Sequence, residues 1–412
     1  MGRAAYGDDR QSAAAGGIAT VAILGSFGPA GITAARSFRA QGMEVVYLEV
    51  GGRGTSPRSS AVSRVIPIQQ GTIGTEEGFA SIADAIERTG SQALLPLWDT
   101  EMMWLARRRD SLPAGCKLLA PGVETLERAQ SKHKQIEIAR ECGFRVLPTW
   151  ALVEPAQARE IDRAAYPICL RPAIPEHVSP TFKVRLFASP EEMTAFLNGL
   201  TWGPEPLLAQ PFRAQPSLVV HGARSESGRV LALEGFLASV KFQGVALELR
   251  PWRCSAQLLA CCERFVRELR IDGPFHFDLL YSAEEDTAHY LEINTRLGGT
   301  TDKVCALGFD EPMLALAAYG VAAPASEFRT LSGRVAVDRR FLLKQMVWAL
   351  RGRLTPLDYP DVTRSRRLLH SLRSLLWAKE SMATLQDIRG SLAYYGALRA
   401  LLRHAFPGGR RP

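Results

Sequence analysis

The sequence predicts an α/β chain, α+β when taken whole: a doubly wound parallel sheet first, a second body of short strands and helices, and a basic helical C-terminal tail. Three observations carry this. Residues 20 to 120 repeat the order strand, turn, helix. From about 145 short β-rich runs follow one another in hairpin order. After 331 the chain holds long helical runs, such as FLLKQMVWAL and RRLLHSLRSLLWAKE, that are basic on one side and apolar on the other. The expected division is a loose small and polar leader over 1–18, a first domain over 19–120, a second over 121–330 and a basic extension over 331–412. Within the second, a small lobe takes about 145–212 and a large lobe 213–330.

The first strand is Thr20-Val21-Ala22-Ile23-Leu24, an apolar run without alternation, as a strand covered on both faces requires. A turn with Gly25, Gly28 and Gly31 leads into a helix over Ile32–Gln41, and a second strand, Glu44–Leu48, closes on Glu49. Strand 65–68, helix 76–88, strand 93–97, helix 101–109 and strand 117–120 complete the unit. Ligands of such sheets gather at the carboxyl ends of the strands. Asp99, Thr100 and Glu101 therefore either touch a substrate or cap the helix they begin. Glycines after the first strand with an acid ending the second are also how a nicotinamide site is built, but GxxGxxG is not the GxGxxG spacing that pyrophosphate needs.

Short helices over 121–130 and 131–142 link onward, the second stopped by Gly143. Lys132 and Lys134 sit at its start, where a cation is disfavoured by the helix dipole unless an anion lies close by. A strand ending in Arg171-Pro172, a loop with Lys183, the run Leu207–Phe212 and strands over 217–221 and 230–237 follow.

The stretch IDGPFHFDLLYSAEEDTAHYLEINTRLGGTTD, residues 271–302, holds the chemistry. Strand 274–281, a polar turn over 282–287 and strand 289–294 make a β-hairpin. Glu292 and Asn294 share one face because side chains two apart on a strand do, and antiparallel pairing brings Asp278 across from them. Three oxygen donors suit Mg2+, or Mn2+ as an alternative, leaving its other positions to water and phosphate. Arg296 adds a planar fork for phosphate, and Gly298, Gly299, Thr300 and Thr301 form a small-residue turn opening a helix, with backbone N–H groups for an anion.

Composition narrows little further. The net charge of +8 fits anionic partners, and the excess lies in the tail, where sixteen Lys and Arg face five Asp and Glu from 331 onward. Seven cysteines without CxxC or zinc-like spacing point to a reducing compartment, and Cys262 and Cys305 are expected to pack rather than react. No signal peptide or membrane span is evident, so a cytoplasmic protein is expected. The tail helices are expected to pack on the parent body, with a membrane surface or a protein partner as the other reading. No aromatic-plus-basic motif argues for nucleic acid.

The order of these signals resembles the ATP-grasp superfamily, and within it the carboxylate–amine ligases of the carbamoyl-phosphate synthase and D-aspartate ligase-like branch. The resemblance runs over about residues 20–310. GSFGPAGITAARSFRAQGMEVV with SSAVSRV and LLPLWDTE looks like the preATP-grasp domain. Lys132 in SKHKQIEIARECGF and Arg171 in YPICLRP match nucleotide-binding cations. LLAQPF resembles the adenine hinge, with Gln210 and Phe212 as its contacts. Lys241 in LASVKFQG matches a phosphate-facing base. Asp278, Glu292 and Asn294 match the magnesium ligands and Arg296 the arginine that steadies the phosphoryl group. Where the family has a glycine-rich phosphate cover, this chain reads PAIPEHVSPTFKV, leaving Lys183 to that work.

The resemblance implies a ligase of the EC 6.3 type, using ATP and Mg2+ to turn a carboxylate into an acyl phosphate that an amine then attacks. Asp99, Glu101, Gly298, Gly299 and Thr300 would meet the substrate, Arg296 and Lys241 would act on the transferring group, and a homodimer is open. An ATP-binding regulatory module with little turnover, and a nicotinamide-dependent oxidoreductase, stand as alternatives.

Overall fold

The computed structural model describes residues 20–51, 59–323 and 333–405, the last nine of these by backbone alone. The expected leader and the expected boundary at 330 lie outside the described residues. The first sheet holds β1 (Thr20–Gly25), β2 (Glu44–Val50), β3 (Arg64–Ile68), β4 (Ala93–Pro96) and β5 (Lys117–Leu118). Their order is β3-β2-β1-β4-β5 and every neighbouring pair is parallel. Helices α1 (Pro29–Ala40), α2 (Glu76–Thr89) and α3 (Asp99–Ala106) connect them. All of β1 beyond Thr20 is buried, which is why its sequence does not alternate.

Helix α1 starts three residues earlier than expected. Pro29 does not sit in the turn but takes the first helical position, where a missing N–H leaves no bond unmade. The third glycine of the turn answers to packing: a Cβ on Gly31 would lie 2.2 Å from Tyr47 Oη and 2.9 Å from Leu97. Glu49, the acid a ribose would need, is buried, and burial pushes its carboxyl up. Close helix–sheet contact thus accounts for the features that suggested a dinucleotide.

Helices α4 (Val123–Gln130) and α5 (Lys132–Glu141) lead from this sheet, and the Ser131 side chain caps α5 by accepting from the Lys134 N–H. After β6 (Arg145–Val146) comes a small antiparallel sheet. It holds β7 (Trp150–Leu152) and β8 (Ile168–Pro172), then, beyond β9 (Val178–Ser179), β10 (Arg185–Phe187). Helix α6 (Pro190–Leu197) and β11 (Thr201–Trp202) precede β12 (Leu207–Pro211), and the sheet order is β10-β8-β12-β7. Leu152, Ile168, Leu170, Met193 and Leu197 form its core.

The large sheet begins with β13 (Ser217–Arg224), β14 (Val230–Phe242) and β15 (Val245–Trp252). Helix α7 (Ala256–Glu268) separates these from the hairpin β16 (Gly273–Ser282) and β17 (Thr287–Asn294), and α8 (Thr301–Ala306) and α9 (Glu311–Ala318) follow. β15 and α7 add to the elements expected from sequence. Phe144, Phe265, Phe277 and Tyr290 interlock beneath the hairpin, with ring centroids 5.2 to 6.3 Å apart.

The C-terminal segment contains β18 (Ala336–Val337), α10 (Arg339–Leu350), α11 (Arg364–Trp377), β19 (Lys379–Glu380) and α12 (Ile388–Ala405). It is more than a helical tail, because β18 and β19 complete the sheet order β19-β18-β15-β14-β13-β16-β17-β6. It also grips the first domain. Arg36 Nε lies 2.8 Å from Asp387 Oδ2, which accepts from Ser59 Oγ at 2.7 Å, while the Ser60 N–H reaches Oδ1 at 2.8 Å. Burial works to raise the Asp387 carboxyl, but these donors and the Gly390 N–H outweigh it and hold it well below the usual range. Among the described residues no helix is long and apolar enough to cross a membrane.

Candidate active site

The hairpin brings the expected oxygen donors together. Asp278 on β16 lies opposite Glu292 on β17, and His276 lies opposite Asn294. Asn294 Nδ2 donates to Asp278 Oδ2 at 3.3 Å. The strands are not in simple register: Asp278 pairs with Glu292 but Leu279 with Tyr290, so Leu291 is an extra residue, a β-bulge. A bulged residue has its carbonyl free of the ladder, and that of Leu291 accepts from Arg171 Nη2 at 2.8 Å. The bulge therefore fixes where the guanidinium sits.

Two cations meet at Glu292. Lys132 Nζ, on the first residue of α5, and Arg171 Nη1, near the end of β8, each lie 3.6 Å from Glu292 Oε2. Burial works to raise the Glu292 carboxyl, but Lys132 and Arg171 outweigh it and hold it below its ordinary value. Asp278 is different: burial and then the neighbouring Glu292 charge push its carboxyl up to about 7. Lys241 on β14 is buried, which pushes its ammonium down to about 8 although Asp278 pulls the other way. The Tyr359 ring stands 5.7 Å from Lys241 Nζ, so the C-terminal segment closes this side of the site.

Arg296 projects just beyond β17 and forms a two-bond fork with Asp99, Nε to Oδ1 at 2.9 Å and Nη2 to Oδ2 at 2.8 Å. Burial works against its charge, but Asp99 outweighs it and raises the guanidinium further. Asp99 makes no side-chain cap: it is the first residue of α3, and Trp98 holds the cap position. Glu101 is buried in the same turn and accepts from Thr100 Oγ1 at 2.6 Å.

The glycine turn is built from beneath. The Gly298 N–H donates to Thr301 Oγ1 at 2.9 Å, so it is not left for an anion as expected. The helix the turn opens, α8, spans six residues. A Cβ on Gly298 would lie 2.3 Å from the His276 ring, so only glycine lets the turn pass over it. Gly299 has open space around its Cα, and its N–H makes no hydrogen bond among the described residues. The Thr300 hydroxyl lies 3.0 Å from His221 Nε2. His221 Nδ1 is 2.8 Å from Glu311 Oε1, and Glu311 Oε2 accepts from Thr301 Oγ1. A carboxylate only accepts, so His221 Nδ1 carries a proton.

The residues expected at an adenine hinge separate from one another. Gln210 is buried with its amide engaged, Nε2 donating to Thr149 Oγ1 at 2.8 Å and Oε1 accepting from Arg171 Nη2 at 3.2 Å. Phe212 is half-buried just past β12, and its N–H donates to the Pro167 carbonyl. Lys183 is exposed between β9 and β10 and joins no ion pair or hydrogen bond among the described residues. The Cys262 and Cys305 thiols are raised by burial, as expected of packing residues.

Sequence reasoning missed His221, His276, Glu311 and Tyr359. A histidine on an apolar strand, FHF or VVHG, was the available signal for the first two, since a buried imidazole needs a partner. Nothing local marks Glu311 or Tyr359, which reach the site through tertiary contacts. His276 stacks on His221 with centroids 5.1 Å apart, and burial pushes it down to about 3.

Fold and hairpin together define a protein of ATP-grasp architecture. An N5-carboxyaminoimidazole ribonucleotide synthetase in its ADP complex is 14% identical, with 94% of this chain covering 97% of that one at a TM-score of 0.62. Biotin carboxylase from Campylobacter jejuni is 16% identical over 75% of this chain and 73% of that one, at 0.58. An L-amino acid ligase from Bacillus licheniformis is 16% identical over 77% and 78%, at 0.56. No family model matches the chain, and no curated protein matches it in sequence.

Proposed function

We propose that the chain is an ATP-dependent carboxylate–amine ligase. The observation that carries this is the convergence of Asp278, Glu292 and Asn294 on one hairpin face with Lys132 and Arg171 drawn onto Glu292. The donor set fits a hard divalent cation: all three offer oxygen, and a carboxyl pushed up to about 7 by burial and then by a neighbouring acid gains when positive charge arrives. Asp278, Glu292 and Asn294 would hold Mg2+ (Mn2+ as the alternative), which would neutralise charge on the nucleotide phosphates. ATP is the co-substrate. Lys132, Arg171 and Lys241 supply its phosphates with cations, Lys183 does so from the exposed β9–β10 segment, and Gln210 and Phe212 border the base.

In the first step an oxygen of the substrate carboxylate attacks the γ-phosphorus and ADP leaves, giving an acyl phosphate. In the second the amine attacks the acyl carbon, phosphate leaves with the bonding pair, and the nitrogen gives up a proton. Phosphoryl transfer of this kind depends on positioning and charge neutralisation more than on a protein nucleophile. Arg296 is suited to the carboxylate, because its fork already holds one in Asp99. Asp99 and Glu101 stand on the substrate side, with Gly299 and Thr300 as the floor. The preATP-grasp and ATP-grasp boundaries expected from sequence belong to the same proposal, as do a cytoplasmic location and a homodimer.

The test is release of ADP and phosphate with a panel of carboxylates and amines, products read by mass spectrometry. Glu292→Gln and Asn294→Ala are expected to bring turnover to background, and full turnover in both would sink the assignment. A regulatory module is the second reading, favoured by the missing glycine cover and the unpaired Lys183. ATP binding by calorimetry with no product over many hours would select it.

A further inference from the structure

We infer that helix α11 is a docking surface for an anionic lipid bilayer. The inference is independent of the ligase reading. Amphipathic helices ordinarily turn their apolar stripe inward; α11 does the reverse. Arg367, Ser371 and Ser374 are buried, at 5%, 1% and 8% exposure, while Leu369, Leu372, Leu376 and Trp377 stand out at 61%, 49%, 75% and 82%. The reason is local. The Arg367 guanidinium donates to the carbonyl oxygens of Asp358 and Pro360, so the polar side of the helix is bound to the body. Leu368 and Leu375 are half-buried beside it, and that leaves the remaining leucines outside.

The exposed leucines recur at intervals of three and four residues, so they form one stripe, with Trp377 at its end. Arg364, Arg366 and Arg373 are exposed on the same helix, which carries no acid. A contiguous apolar stripe in water marks an interaction surface. Charge decides the occupant. Two-fold pairing with a second copy would bring like arginines together with no acid on either helix to answer them. A bilayer meets every feature: leucines enter the acyl boundary, tryptophan sits at the headgroup level, and arginines face anionic phosphates. The surface also adjoins the candidate site, since Arg367 holds the turn whose Tyr359 ring faces Lys241.

The experiment is co-sedimentation of the full chain with vesicles of equimolar phosphatidylglycerol and phosphatidylcholine, against vesicles of phosphatidylcholine alone. Binding is expected to the first and at least tenfold weaker to the second. The double variant Leu372→Glu/Leu376→Glu should lose binding at least tenfold while keeping its circular dichroism and melting temperature, both residues being exposed. Arg366→Gln and Arg373→Gln should each weaken binding about fivefold. Equal binding to both vesicles, or a double variant that binds like the parent, would overturn the inference. So would a dimer that the double variant dissociates in a chain that binds neither vesicle.

Discussion

Replacing Glu311 by alanine is expected to be among the most damaging changes available to this chain. The side chain is fully buried and accepts from His221 Nδ1 and from Thr301 Oγ1, so water neither screens these bonds nor replaces them. Burial works to raise the Glu311 carboxyl, but His221 and Thr301 outweigh it and keep it charged. Two hydrogen bonds to a charged acceptor, each about 1.5–3 kcal/mol, put the loss at roughly 3–6 kcal/mol. Glu311→Gln tests the cause. Its amide can donate to His221 Nδ1 if the ring moves its proton to Nε2, which then donates to Thr300, so the cost falls to about 1 kcal/mol. Urea unfolding followed by tryptophan fluorescence gives both numbers, and the nitrogen shifts of His221 report the proton's position. An alanine variant within about 1 kcal/mol of the parent, or a glutamine variant as unstable as alanine, would refute the reasoning.

Asp278 gives a pH-dependent outcome in the metal-free protein. Its folded-state carboxyl is raised to about 7, so the stability it contributes is full below the unfolded value near 4 and is lost as pH climbs through 7. Asp278→Asn should therefore match the parent at pH 4 and exceed it at pH 8, by on the order of 1–3 kcal/mol, read from melting midpoints across that range. Asp99→Ala releases the Arg296 fork; an added carboxylate substrate should then compete with no internal one, lowering KM while the fold is kept. An unchanged KM would separate Arg296 from carboxylate binding. Gly298→Ala should disturb His276, because the new Cβ would fall 2.3 Å from its ring, and should cost about 1–3 kcal/mol in thermal unfolding.

Much of the architecture was legible because it is written in short-range patterns. The unbroken apolar run of β1 announces a strand covered on both faces, and the alternation of Glu292 and Asn294 with Leu291 and Ile293 announces a half-buried one. The helices of the C-terminal segment were legible from periodicity as well. Their packing was not: periodicity says that α11 has an apolar side, and only Arg367, bound to the Asp358 and Pro360 carbonyls, turns that side outward.

By itself the sequence determined which residue types lie within a strand's length of each other, and hence the α/β class, the hairpin and its trio of oxygen donors. Tertiary structure alone decided what meets that trio. Lys132 and Arg171 reach Glu292, while Asp99 meets Arg296 and Tyr359 meets Lys241 beside it, from elements separated by up to some two hundred and sixty residues, and the bulge at Leu291 that orients Arg171 depends on strand pairing. The physical reason is range: backbone periodicity is set by neighbours a few residues away, whereas a buried charge is placed by whichever distant groups satisfy it.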